Sequence, residues 1–170
     1  PQHGVVQVNS DGTFVYTPND DYFGVDSFSY MVRDADGDES VASVSISLSP
    51  VNDTPVLSGG EKLDYTEKGS ATADQSITLS DVDDTTLTGA TVTLKGVVID
   101  GDTLNFTAQN GISGNYDSVT GVLTLSGTAS VSQYQDALRS ITYESTNNDP
   151  TRDNVEVSRT ITWVVMDDNS

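Results

Sequence analysis

Two-residue alternation of apolar side chains recurs along this chain and directs it toward β-structure. Val44, Ile46 and Leu48 share one face of residues 41–48, residues 90–95 alternate in the same way, and Ile161, Trp163 and Val165 do so near the end. That period places one set of side chains on one face of a pleated strand. Turn signals separate the runs. Residues 5–8 and 13–17 flank Asn9-Ser10-Asp11-Gly12, where Asp-Gly predicts a hairpin with glycine at positive φ. Residues 27–32 put Phe28, Tyr30 and Val32 on one face, and residues 34–39 turn the chain into 41–48. Four strands in this span predict an antiparallel meander. A sandwich of about 100 residues takes about seven strands, so residues 1–49 are expected to be the second half of a module.

Downstream, residues 61–66 are expected to open a second module as an edge strand. Residues 75–79, 104–106 and 121–126 add short strands, and 159–166 the last, with Ile161, Trp163 and Val165 inward. A further strand is expected after Asp167. Between residues 130 and 141 the period changes, because Val131, Tyr134, Ala137, Leu138 and Ile141 follow helical spacing. One short helix is predicted over 132–139, with Ser132 and Gln135 at capping-box spacing. Residues 147–154 read as a polar loop.

Charge narrows the function. Asp and Glu number 26 against 7 Lys and Arg, a formal net charge of −19. Nucleic-acid binding needs a basic footprint and is excluded on that ground. Such self-repulsion weakens a compact state unless cations neutralise it. Disorder, the usual outcome for an acidic chain poor in aromatics, conflicts with the alternating strands and ordered turn signals. The chain has no cysteine, which removes disulfide and thiolate chemistry. No apolar run reaches the ~18 residues of a membrane-spanning helix. The richness in Thr, Ser, Asp, Gly and Val suits an exported β-protein.

Carboxylates in particular spacings suggest a hard cation. Pro50-Val51-Asn52-Asp53-Thr54-Pro55 joins the two blocks; its prolines predict a stiff, extended connector with Asn52 and Asp53 as oxygen ligands. Asp81-Val82-Asp83 places two carboxylates on one side of an extended segment. Asp34-Ala35-Asp36-Gly37-Asp38 does the same at a turn, though abundant turn Asp and Gly explain such patterns equally well. An EF-hand is not expected there, since no Glu stands at the twelfth position and no helices flank it. His3, the single histidine, has no serine partner in a triad arrangement. Surface acidity explains the paired carboxylates better than glycosidase chemistry does, and Trp163 reads as core rather than a sugar platform.

Two longer patterns carry a resemblance. His3-Gly4-x-Val6, Asp11-Gly12-Thr13-Phe14-x-Tyr16-Thr17-Pro18, Tyr22-x-Gly24-x-Asp26-Ser27-Phe28-x-Tyr30 and Asp34-x-Asp36-Gly37, running on to Val51-Asn52-Asp53-Thr54-Pro55, form the first. Tyr65-Thr66-Glu67, Leu79-Ser80-Asp81-Val82-Asp83, residues 120–127, Tyr134-x-x-Ala137-Leu138 and residues 159–167 form the second. Together they resemble bacterial cadherin-like tandem repeats of large RTX-type, VCBS-bearing surface adhesins. The resemblance implies an all-β fold: Greek-key cadherin- or immunoglobulin-like β-sandwich modules in tandem, with residues 50–55 as a calcium-binding linker and 56–170 as the second module, short of its last strand. It also implies calcium at the joint, held by Asn52, Asp53, Glu67, Asp81, Asp83 and Asp167. Asp26, or Asp20 or Asp21, takes the place of the upstream acidic motif, although the vertebrate Leu-Asp-Arg-Glu pattern is absent. Asp34, with Asp36, falls to the preceding joint.

The expected function is therefore a non-enzymatic, calcium-dependent adhesion or structural module, secreted or at the cell surface. Its expected partners are calcium, other cadherin-like modules or surface glycans. The alternative is a carbohydrate-binding module of a secreted polysaccharide-degrading enzyme, with Tyr22, Phe23, Tyr65 and Tyr116 as sugar-stacking candidates.

Overall fold

The computed structural model describes residues 1–66, 68–95, 101–147 and 158–168. The chain divides into two compact units, Pro1–Asn52 and Asp53–Ser170, so the division falls inside the proline-bracketed connector.

The first unit consists of two antiparallel hairpins, β1 (Gly4–Val8) with β2 (Phe14–Pro18) and β3 (Gly24–Arg33) with β4 (Glu39–Leu48). The β1–β2 turn forms as the Asp-Gly signal predicts: Gly12 has φ 85°, and the Asn9 N–H donates to Thr13 O. In β3–β4 the register pairs Phe28 with Val44 and Asp26 with Ile46, while Ser27 and Ser29 pair with Ser45 and Ser43. Alternation therefore gives one apolar face and one serine-rich face. The hairpins meet through the edge-on contact of Phe14 with Phe28 and a hydrogen bond from Tyr16 to Asp26. No hydrophobic side chain of this unit is fully buried.

The second unit holds the core. Strands β8 (Thr86–Lys95), β10 (Ser113–Asp117), β11 (Val122–Ser130) and β13 (Thr160–Met166) form a sheet in the order β10-β11-β8-β13. Strands β6 (Ser70–Thr72), β9 (Asp102–Asn105) and β12 (Thr142–Ser145) form another in the order β6-β12-β9, and β5 (Val56–Ser58) pairs with β7 (Thr78–Ser80). Leu87, Val92, Leu94, Leu104, Leu123 and Leu125 are buried between the sheets, and Ile161, Trp163 and Val165 pack against them. The all-β, immunoglobulin-like sandwich class stands, with one short helix in the second unit.

That helix, α1 (Val131–Arg139), starts earlier than the sequence pattern suggests. Its N-cap is Ser130, and the capping box is Ser130 with Gln133 rather than Ser132 with Gln135. Both pairs satisfy the Ser-x-x-Gln spacing, but Gln135 is engaged elsewhere: its Oε1 accepts the Leu79 N–H at 3.0 Å. Arg139 donates to Ile77 O at 2.7 Å, so α1 satisfies backbone groups in and beside the short β7 strand while burying Tyr134, Ala137 and Leu138. Ahead of the helix β11 bulges between Ser126 and Ala129, and Gly127 sits at φ 133° against the Gly111 carbonyl, where a Cβ would lie 2.3 Å from the oxygen. Residues 61–66 form no strand; Leu63 and Tyr65 are half-buried and anchored by side chains, with Tyr65 Oη donating to Gly69 O. Most of the polar loop 147–154 lies outside the described residues.

Candidate metal centre

The β7–β8 turn and the end of β13 build an acidic centre in the second unit. Asp81 Oδ1 accepts the backbone N–H groups of Asp83 at 3.2 Å and Asp84 at 2.9 Å. The segment is thereby folded into a turn instead of extended, a local side-chain-to-backbone closure that Asp favours. In a turn the carboxylates that converge are three residues apart. Asp81 and Asp84 meet Asp167, one ligand oxygen from each lying within 4.8 Å of the others. Asp167 is buried at 3% exposure, and the Thr88 hydroxyl donates to its backbone carbonyl at 2.7 Å. Asp81 Oδ2 and Asp84 Oδ2 are buried without a hydrogen-bond partner.

Asp83 points to other work. Both its carboxylate oxygens accept the Asp53 N–H, each at 3.3 Å, which ties the first residue of the unit to the turn. Burial, together with the charges of Asp81 and Asp53, raises the Asp83 pKa. Burial and the charges of Asp168, Asp83, Asp81 and Asp167 raise that of Asp84. Both shifts report crowded negative charge.

Of the residues picked from sequence, the structure brings Asp81 and Asp167 together and sets Asp83 beside them against Asp53. Asp84 was missed because a two-residue spacing assumes an extended chain. Its signal is the run Ser80-Asp81-x-Asp83-Asp84, which suits an Asx-type turn. Asn52 is the last residue of the first unit, and Glu67 lies outside the described residues. Asp26, in the first unit, already has four donors: the N–H groups of Gln2 (3.0 Å), His3 (2.9 Å) and Ser27 (2.8 Å) and the Tyr16 hydroxyl (2.9 Å). Burial acts to raise its pKa, but these donors outweigh it and hold the carboxyl well below the usual range. Asp34 Oδ1 accepts the Asp36 and Asp38 N–H groups and shapes the β3–β4 turn, with Asp36 exposed on it. Asp21 is an exposed turn residue at φ 58°.

The donor set fits a hard cation. Three converging carboxylates are hard oxygen donors of the kind calcium takes, while the sequence has no cysteine and places its one histidine in the first unit. Two buried oxygens without a partner are what a bound cation would satisfy.

Three of the four sugar-stacking candidates have structural roles. Tyr116 and Tyr65 pack against the core, Tyr65 edge-on to Tyr143. Tyr22 stacks on His3 and donates to Val25 O, whereas Phe23 is exposed.

A second buried charge lies elsewhere in the unit. Asp102, at 2% exposure, accepts from Tyr143 Oη and from Arg159 Nε, each at 2.9 Å, and its backbone carbonyl accepts the Tyr116 hydroxyl at 3.1 Å. Burial and the bond to Asp102 raise the Tyr143 pKa.

Comparison with known proteins agrees with this architecture. Residues 1–47 match the bacterial Ig domain family. The motifs resemble cadherin-like repeats, but the matching family is Ig-like; the two share the sandwich plan. The chain is also similar to halomucin from Haloquadratum walsbyi (strain DSM 16790 / HBSQ001), at 37% identity over 119 residues. The alignment covers 66% of this chain and 1% of that relative, so the chain spans about one hundredth of its length. No solved structure matches the chain.

Proposed function

We propose that the chain is a non-enzymatic structural segment of a long extracellular surface protein, with calcium holding its second sandwich together. The Ig-domain match and the similarity to a short part of halomucin support the surface-module reading. The calcium reading is carried by one observation: Asp81, Asp84 and Asp167 converge with two buried oxygens that have no donor. An ion there would pin the β7–β8 turn to the end of β13 and, through Asp83, hold the Asp53 end of the connector. A role for Asn52 and for stiffening of the joint rests on the sequence resemblance.

Extracellular modules bind calcium with Kd of about 10⁻⁴–10⁻³ M, so about 10 mM calcium adds roughly 1–3 kcal/mol of stability. Calorimetric titration and thermal melting of the chain, with and without chelator, test the proposal. A melting temperature unchanged by 10 mM calcium (about ten times the weaker Kd) would reject it.

A further inference from the structure

Residues 102–107 alternate between core and solvent. Asp102 and Leu104 are buried on β9, and Phe106, just past its end, packs against the core. Gly114 on β10 makes the room, since a Cβ there would lie 2.6 Å from the Phe106 ring. With Phe106 turned inward, its neighbours Asn105 and Thr107 are exposed. Asn105 is the last residue of β9, an edge strand of the β6-β12-β9 sheet, and residues 106–108 belong to no helix or strand. Asn105-Phe106-Thr107 is also an Asn-x-Thr tripeptide, the acceptor pattern for N-linked sugar in exported proteins.

We propose that Asn105 is an N-glycosylation site. This rests on the reading of the chain as an extracellular surface segment. A pattern this short often arises by chance, so its setting decides. Here the amide and the hydroxyl stand on the surface at a strand end, where no ladder keeps the Thr107 hydroxyl from turning toward the Asn105 side chain. The donor is an oligosaccharide linked to a lipid phosphate. Asn105 Nδ2 bonds to the anomeric carbon of the sugar, and the bond from that carbon to the phosphate oxygen breaks. The lipid phosphate leaves with the electron pair, and the surplus Nδ2 proton passes to solvent. The amide keeps one N–H, enough for its contact with Glu144 Oε2 at 3.3 Å. A sugar there stands beside the outer edge of β9, which among the described residues pairs with β12 alone, and hinders the addition of a foreign strand. The other Asn-x-Thr, Asn52-Asp53-Thr54, directly precedes Pro55, which keeps Thr54 extended, and it is expected to stay bare.

Peptide mass spectrometry of the full-length protein from the cells that make it tests this, after intact cells are labelled with a membrane-impermeant lysine reagent. The Asn105 peptide is expected to be heavier by whole sugar residues and to shed sugar ions on fragmentation, with the Asn52 peptide unmodified. Thr107→Ala, a change at an exposed position, should lose the sugar, whereas Thr107→Ser should keep it. A bare Asn105 peptide from protein labelled at the exposed Lys62 overturns the glycosylation site and leaves the surface reading standing. Sugar that persists in Thr107→Ala also overturns the site. Protein with neither label nor sugar removes both.

Discussion

Two of the places where the second unit buries negative charge have opposite solutions. Asp102 meets Arg159 and the Tyr143 hydroxyl at 2.9 Å each, with side-chain exposures of 0% for the aspartate and 11% for the arginine. Asp81, Asp84 and Asp167 crowd together, and two of their oxygens are buried without a donor. An ionised carboxylate is tolerated inside a protein only when donors or opposite charge replace its water. At the first centre the chain carries the replacement; at the second, on the reading proposed above, a cation from solution would supply it. Low basic content does not separate them, since the same chain supplies both. On the calcium reading proposed above, one centre is independent of the medium and the other depends on it.

The largest effect should come from breaking the self-contained centre. Arg159→Leu removes the cation that meets buried Asp102, which costs about 3–5 kcal/mol. Urea denaturation should show the same loss in calcium and in chelator; a loss that calcium repairs would erase the distinction between the centres. Tyr143→Phe removes one hydrogen bond to the same carboxylate and should cost about 1–3 kcal/mol, again independent of calcium. At the other centre the pattern reverses. Calcium should add roughly 1–3 kcal/mol to the native chain and much less to Asp84→Asn, a difference that parallel melts in calcium and chelator measure.

The contrast between the centres also explains what was legible beforehand. Strands β3, β4, β8 and β13 follow from alternation because a half-buried sheet sorts side chains by parity. Strand β10 does not: Ser113-Gly114-Asn115-Tyr116-Asp117 has no apolar alternation, and its pairing comes from β11 across a tight turn. The helix was visible by period, but its start was set by which glutamine the Leu79 N–H had already engaged. Asp81 and Asp167 could be named from their motifs, whereas Asp84 needed the turn that the Asp81 side chain itself makes. The Asp102–Arg159 pair gave no local signal, since its members are 57 residues apart and meet only when the two sheets face each other.

The smallest expected effect is the response to acid, and its sign separates the centres from the other carboxylates. Asp83 and Asp84 have raised pKa values in the folded chain because of burial and neighbouring charge. Without calcium, protonation favours the folded state: the stabilisation is complete below the ordinary carboxylate pKa of about 4 and is lost as pH rises through the higher folded values. Asp74 behaves oppositely. Burial acts to raise its pKa, but donors from Ser76, Gly60 and Glu61 bring it below the ordinary value, so its contribution is present above about pH 4 and lost as pH falls through the depressed one. In chelator, stability should therefore rise slightly as pH falls from 7 toward about 4, then drop below that. Calcium should abolish the rise, because protons and the ion compete for the same oxygens. Asp84→Asn in chelator should resemble the acidified native chain, with higher stability at pH 7 and a flatter profile above about pH 4. Chemical denaturation across pH measures this, and a decrease in chelator-state stability on Asp84→Asn would mean that the carboxylate is satisfied by the chain after all.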